Sequence, residues 1–371
     1  MTSTTRNMPP EEETPTTNRS RTALLEAVRR IWPWVFLLIL FVFFTFTSKA
    51  MNDVNFLTPR SIQGILIFTT QILLIGLGET FVIITAGIDL SLGWILGLSA
   101  VCAAMAMKYL YAIDMPPFLT ISAGLMVAML AGAIPGFFNG LLVAKIKVPP
   151  FITTLGMGGI ARGAAFLLSG GYPVADQPPY LGPLGNGYVF YYWPGHGISL
   201  FGLHATATPG DRSEIVALLP NVVVVTLIAV AISWFILAKT QFGRHVYAIG
   251  GNFDAALRAG IPVRRRLIWV YTLAGILAGL AGALWTARFT SGAGNAGEQT
   301  LLTAIAAVVI GGASLFGGEG TITGTIIGSL IVATISFGLV ILGVLPFWQF
   351  VAVGAVVILA VIVDQFGRTT D

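Results

Sequence analysis

Long apolar runs, separated by short polar or glycine-rich breaks, recur from residue 31 to residue 363 without the two-residue alternation of barrel strands. Most approach the ~20 residues an α-helix needs to cross a bilayer. The runs predict about ten spans, over residues 31–47, 61–86, 90–107, 118–143, 150–168, 215–237, 267–288, 301–315, 323–342 and 347–363. Lipid leaves only helices and closed barrels to satisfy the backbone, so the pattern predicts an all-α polytopic membrane protein with some helices discontinuous. Residues 1–28 are rich in Thr, Pro, Glu and Arg and read as a disordered cytoplasmic tail ahead of a transmembrane domain over 29–371. The first apolar run follows basic residues, as a cleaved signal would. It is too long and too aromatic for one, and the tail before it is too extended.

Composition agrees: 56% of the 371 residues are hydrophobic and 10% charged, against about a quarter charged in a soluble domain. With the N-terminus inside and sides alternating, fourteen of the 20 basic residues fall on the inner side and five on the outer, with Arg162 inside a span. That asymmetry puts both termini in the cytoplasm and explains the +4 net charge without nucleic acid. Cys102, the single cysteine, excludes an intrachain disulfide and reads as a small core residue. Glycines spaced by four, such as Gly132/Gly136/Gly140 and Gly275/Gly279, predict closely packed helices.

Two breaks carry more than a turn needs. "AGIDLSLG" (86–93) holds Gly87, Asp89, Ser91 and Gly93, and "GGASLFGGEGTITG" (311–324) opens with Gly311 and Gly312. Paired, glycine-interrupted segments in different halves of a chain point to a translocation pathway built from broken helices. Asp89 or Ser91 could instead only cap the helix starting near Leu90, and the two roles are compatible. Glu79 and Arg162 also lie within spans and should face the bundle interior, where they could pair with each other. The spans around residue 317 could be half-helices.

The polar loop 239–266 is long enough for a short helix. In "NFDAALRAG", Asn252 reads as N-cap and Gly260 as the C-terminal stop. The loop either only fixes topology or docks on a cytoplasmic partner. No lysine follows a glycine, so the chain has no P-loop and needs a partner ATPase or an ion gradient for active transport. An ion-coupled carrier would use Glu79 and Asp89 as coupling carboxylates. Hydrolytic chemistry at depth would want a histidine or metal cluster, whereas His196 and His204 fall in the outer loop 169–214 and His245 in the inner one.

"GIDLSLG", "TQFGRHVYAIGGNFDAALRAGIPV" and "TAIAAVVIGGASLFGGEGTITGTIIGSLI" together resemble the permease subunits of bacterial ATP-binding-cassette importers for ribose, xylose and related sugars, over roughly residues 55–365. "LSGGYPVADQPPYLGPLGNG" (168–187) is similar to that family's outer loop. The resemblance implies a monosaccharide permease of the inner membrane, without its own cofactor or enzymatic activity. ATP and Mg would sit on a cytoplasmic ATP-binding subunit, a periplasmic sugar-binding protein would deliver substrate, and a second permease copy or homologue would complete the pore. It maps the pathway motif to Gly87, Asp89, Ser91 and Gly93, and ATPase coupling to Asn252, Ala255, Ala256, Arg258 and Gly260. Glu79, Gly311 and Gly312 join the candidate pathway, and Gly251 the candidate coupling segment, from the reading of the residues. The chain departs from the family in "EQTLLTAIAA", which lacks an acidic residue before the Ala-rich run, and in Ser336–Phe337–Gly338 where relatives carry "NNG".

Overall fold

Prolines and hydroxyls set where the apolar runs become helices. Pro59, Pro117 and Pro150 occupy first-turn positions, where the missing N–H costs nothing, and Thr58 and Thr321 cap their helices by accepting from Ser61 N and Gly324 N. The structure, a computed structural model, describes residues 17–203, 214–345 and 347–352 and positions 354, 355 and 358, with side chains from Ile31 onward. The helices are α1 (Thr17–Asn52), α2 (Pro59–Ile84), α3 (Leu92–Ala112), α4 (Pro117–Leu141, continued by a π turn at Leu142–Ile146), α5 (Pro150–Ser169) and α6 (Leu181–Asn186). They continue as α7 (Asn221–Lys239), α8 (Gln241–Gly251), α9 (Phe253–Arg258), α10 (Val263–Phe289), α11 (Thr300–Ile310) and α12 (Ile322–Ile341). Among the described residues, eight helices are long and apolar enough to cross a membrane, which is the all-α polytopic class expected.

Three boundaries differ from the reading of the sequence. The run 301–315 yields only the eleven residues of α11, about 16 Å of helix, because Gly311 ends it and Gly312 turns at φ 88°. The run 215–237 divides at Pro220: residues 216–220 form a strand, and the membrane helix starts at Asn221, where a proline can precede it. Helix α1 begins at Thr17, inside the stretch read as a tail, and residues 1–16 lie outside the described residues. The run 347–363 is helical over residues 347–352, and most of its remainder lies outside the described residues.

α2 and α10 form the centre. α2 buries an almost unbroken series from Ile72 to Ile84, and Tyr271, Leu277 and Ala278 of α10 join it in the largest core cluster. α4 meets α10 backbone to backbone. A methyl group on Gly132 would strike Gly275 O, and one on Gly136 would strike Tyr271 O, so only glycine permits this approach. The packing sets Asn139 and Tyr271, one turn away, beside the end of α2.

The described part of the loop after α5, residues 170–203, is more ordered than its composition suggests, and His204 lies outside the described residues. The loop's aromatic run becomes strand β1 (Tyr188–Trp193), flanked by β2 (Gly197–Leu200) and β3 (Val216–Pro220) in an antiparallel sheet of order β2-β1-β3. Five aromatic residues and Val189 give β1 a strand-favouring composition, and the turn Pro194–Gly195–His196 closes the hairpin. Gln63 of α2 donates to Ala217 O, tying the sheet to the central helix.

Candidate functional site

The first break leaves α2 through Ala86, held at φ 61°, and reaches α3 six residues later. Within it, Asp89 Oδ1 accepts from Ser91 N at 2.9 Å and from Ser91 Oγ at 2.5 Å. Asn139 of α4 donates through Nδ2 to Ser91 Oγ at 2.9 Å and to Asp89 Oδ2 at 3.4 Å. Asp89 N in turn donates to Glu79 Oε2 at 3.4 Å. Thr154 of α5 accepts from Leu90 N at 3.0 Å, fastening the break from the other side. Glu79, Asp89, Ser91 and Asn139 have no exposed surface, and Tyr271 is 1% exposed. Glu79 Oε1 and Asn139 Oδ1 meet no hydrogen-bond partner among the described residues. Two carboxyl groups therefore share one buried environment in which the donors are neutral, an arrangement costly for a charged pair.

Neither residue caps α3 as expected: Asp89 accepts from Ser91 N, one residue ahead of the helix, and not from the N–H groups of its first turn. Ser91 occupies the N-cap of α3 but makes no cap bond, because its hydroxyl donates to Asp89 instead. The suggested pairing of Glu79 with Arg162 is absent. Arg162 is exposed and lies 4.4 Å over the Trp94 ring, since α5 points that side chain away from α2.

Of the residues singled out in the sequence, Glu79, Gly87, Asp89 and Ser91 come together. Gly87 sits against the Tyr271 hydroxyl, where a methyl group would lie 2.6 Å from the oxygen. Gly93 instead admits the Gly297 carbonyl of the segment entering α11. Gly311 packs on the Gly324 carbonyl of α12 and Gly312 faces open space, so both belong to the second break rather than to the carboxyl cluster. Thr80 and Thr325, 2.5 Å apart between Oγ1 atoms, link α2 to α12 nearby.

The polar loop 239–266 forms α8 and α9. Asn252 Oδ1 accepts from Ala255 N at 2.9 Å, and Gly260 turns at φ 77° after the helix, as the sequence pattern indicated. Ala256 is buried with Ala144, Ile249, Val263 and Leu267, which seats α9 on the bundle. Gly251, Asn252, Ala255, Arg258 and Gly260 are exposed.

The end of α8 touches both breaks at once. Gly318 N donates to Ile84 O at 2.8 Å, and the space beside that bond is filled by Gly250, where a methyl group would strike Ile84 O and Gly318 N. Tyr247 of α8 donates to Gly320 O at 2.6 Å. Sequence reasoning missed Asn139, Thr154, Tyr271, Tyr247 and Gly250, whose roles depend on tertiary neighbours. It also missed Phe253 and Leu257, 51% and 56% exposed on α9, although their i,i+4 spacing was a usable signal.

Spanning helices, two broken segments joined at the end of α2, a buried polar cluster in the first of them, and an exposed helix beside the bundle define the class: a multi-pass membrane permease. The chain belongs to the family described as branched-chain amino acid transport system / permease component, which matches residues 61–363. It is 38% identical to the ribose import permease protein of Bacillus subtilis over 342 residues, 91% of this chain and 93% of that one. It is 38% identical to the fructose import permease protein of Rhizobium meliloti over 295 residues, covering 80% and 75% of the two chains. The D-allose transport system permease protein of Escherichia coli is 36% identical over 316 residues, covering 85% and 86%. No solved structure matches the chain.

Proposed function

We propose that the chain is the permease subunit of an ATP-binding-cassette importer that carries a monosaccharide across the inner membrane. A separate cytoplasmic ATPase, holding ATP and Mg, drives it, and a periplasmic binding protein supplies substrate. Relatives named for ribose, fructose and allose import support the substrate class. The observation that carries the mechanism is the junction of Gly250 with Ile84 and Gly318, where one inner arm reaches both broken helices.

The ATPase would grip α9 through Phe253, Leu257 and Arg258, with Asn252, Ala255 and Gly260 shaping the helix and Ala256 seating it. α8 ends at Gly251 and Asn252 alone links it to α9, so displacement of α9 moves Gly250 and Tyr247. The Ile84–Gly318 bond and the Tyr247–Gly320 bond would then yield together, shifting Glu79, Gly87, Asp89, Ser91 and Gly93 on one side and Gly311 and Gly312 on the other. Asp89 and its donors give a polar surface that becomes wet once the break moves, which suits a passing sugar hydroxyl. A second permease copy completes the pathway.

Proteoliposomes holding the permease, its ATPase and internal ATP should accumulate sugar from the loaded binding protein. Arg258→Glu or Gly260→Pro should abolish uptake while the chain remains inserted. Accumulation by this polypeptide alone would overturn the proposal. The unpartnered Glu79 oxygen favours one rival, a proton-coupled carrier, and in that case an uncoupler would collapse uptake at constant ATP.

A further inference from the structure

A second site lies away from the breaks. A cavity of about 400 Å³ opens between the inner ends of α4 and α10. Lys145, from the π turn that ends α4, and Arg264 and Arg265, from the first turn of α10, form its rim, and Phe137, Ile268 and Trp269 line its body. The three cations are exposed and form no ion pair among the described residues, where the pairs are Lys49–Asp53 and Lys108–Asp176.

We propose that this cavity binds an anionic phospholipid, its phosphate among Lys145, Arg264 and Arg265 and its upper acyl chain along Phe137, Ile268 and Trp269. Charge complementarity selects the head. The apolar body selects the tail, since a free phosphate has nothing to place there. Phe137 and Trp269 are 44% and 51% exposed on lengths of α4 and α10 that continue as membrane spans, so the cavity opens sideways toward lipid. A tryptophan at the level of the basic rim matches the amphipathic boundary of a bilayer. The inference does not depend on the transported solute.

The test uses the full-length chain in detergent, titrated with phosphatidylglycerol or phosphatidylcholine carrying brominated acyl chains. Quenching lost in Trp269→Phe isolates that indole from the seven other tryptophans. Phosphatidylglycerol should half-saturate this component at lower concentration than phosphatidylcholine. Lys145→Gln and Arg264→Gln should each raise its half-saturation roughly fivefold and leave phosphatidylcholine unchanged. If a variant does not purify folded, higher ionic strength on the unaltered chain should weaken only phosphatidylglycerol. Equal quenching by the two lipids would overturn the proposal. So would full displacement by inorganic phosphate, which marks a free-anion site, or a Trp269 unreachable by either lipid because a second protein copy covers it.

Discussion

Adding a single methyl at Gly250 tests the proposed coupling most directly. In Gly250→Ala the new carbon would overlap Ile84 O and come 2.6 Å from Gly318 N, both backbone atoms that no rotamer change can move aside. Overpacking of this kind costs about 1–3 kcal/mol. Separating the two breaks also loses the Gly318–Ile84 hydrogen bond, another ~1 kcal/mol. The junction is therefore destabilised by about 2–4 kcal/mol, a population change of roughly 30- to 700-fold. Gly156→Ala, on α5 with no atom near the added methyl, serves as control. Uptake and ATP hydrolysis are measured together in proteoliposomes with the partner subunits. Gly250→Ala should keep ATPase binding, because α9 is untouched, and lose most sugar transported per ATP consumed. A Gly250→Ala permease that transports like Gly156→Ala would refute the idea that this contact carries force.

Phe253→Ala and Leu257→Ala should each weaken ATPase binding by roughly tenfold or more, read by pull-down or thermophoresis, with the thermal melt of the permease unchanged because both side chains are exposed. Asn139→Ala removes the donor to Ser91 Oγ and Asp89 Oδ2 and should lower stability by about 1–3 kcal/mol, seen as a lower melting temperature in detergent. Asn139→Asp, which adds a third buried carboxyl, should be worse than Asn139→Ala, and the reverse order would argue that the cluster is already hydrated. Gly136→Ala should part α4 from α10 at Tyr271 and reduce both stability and uptake.

What could be read from the chain alone was whatever is encoded locally. Asn252 and Gly260 announce α9 because a cap and a left-handed stop are decided within a few residues. The breaks stood out because glycine, Asp89 and Ser91 interrupt apolar runs. Asn139 and Tyr271 did not stand out, since each is one polar group in a long apolar stretch and acquires its role only when glycines draw α4 onto α10. The boundary at Pro220 was lost because a strand of Val, Ala and Leu has the hydropathy of the helix that follows it. The sheet was hidden for a related reason: the near-continuous aromatic run of β1 has no two-residue alternation and reads as a loop until Val216–Pro220 pairs with it. Arg162 was misjudged because depth in a span does not say which way a side chain faces, and the Trp94 ring offered it a nearer neighbour than Glu79.

Helix α2 grips the outer sheet near one end, where Gln63 holds Ala217, and carries Glu79 and the Ile84 carbonyl at the other, some 30 Å along its axis. If the proposed binding protein sits on the hairpin and the proposed ATPase under α9, both lean on opposite ends of one beam, and cargo and motor need no separate messenger between them.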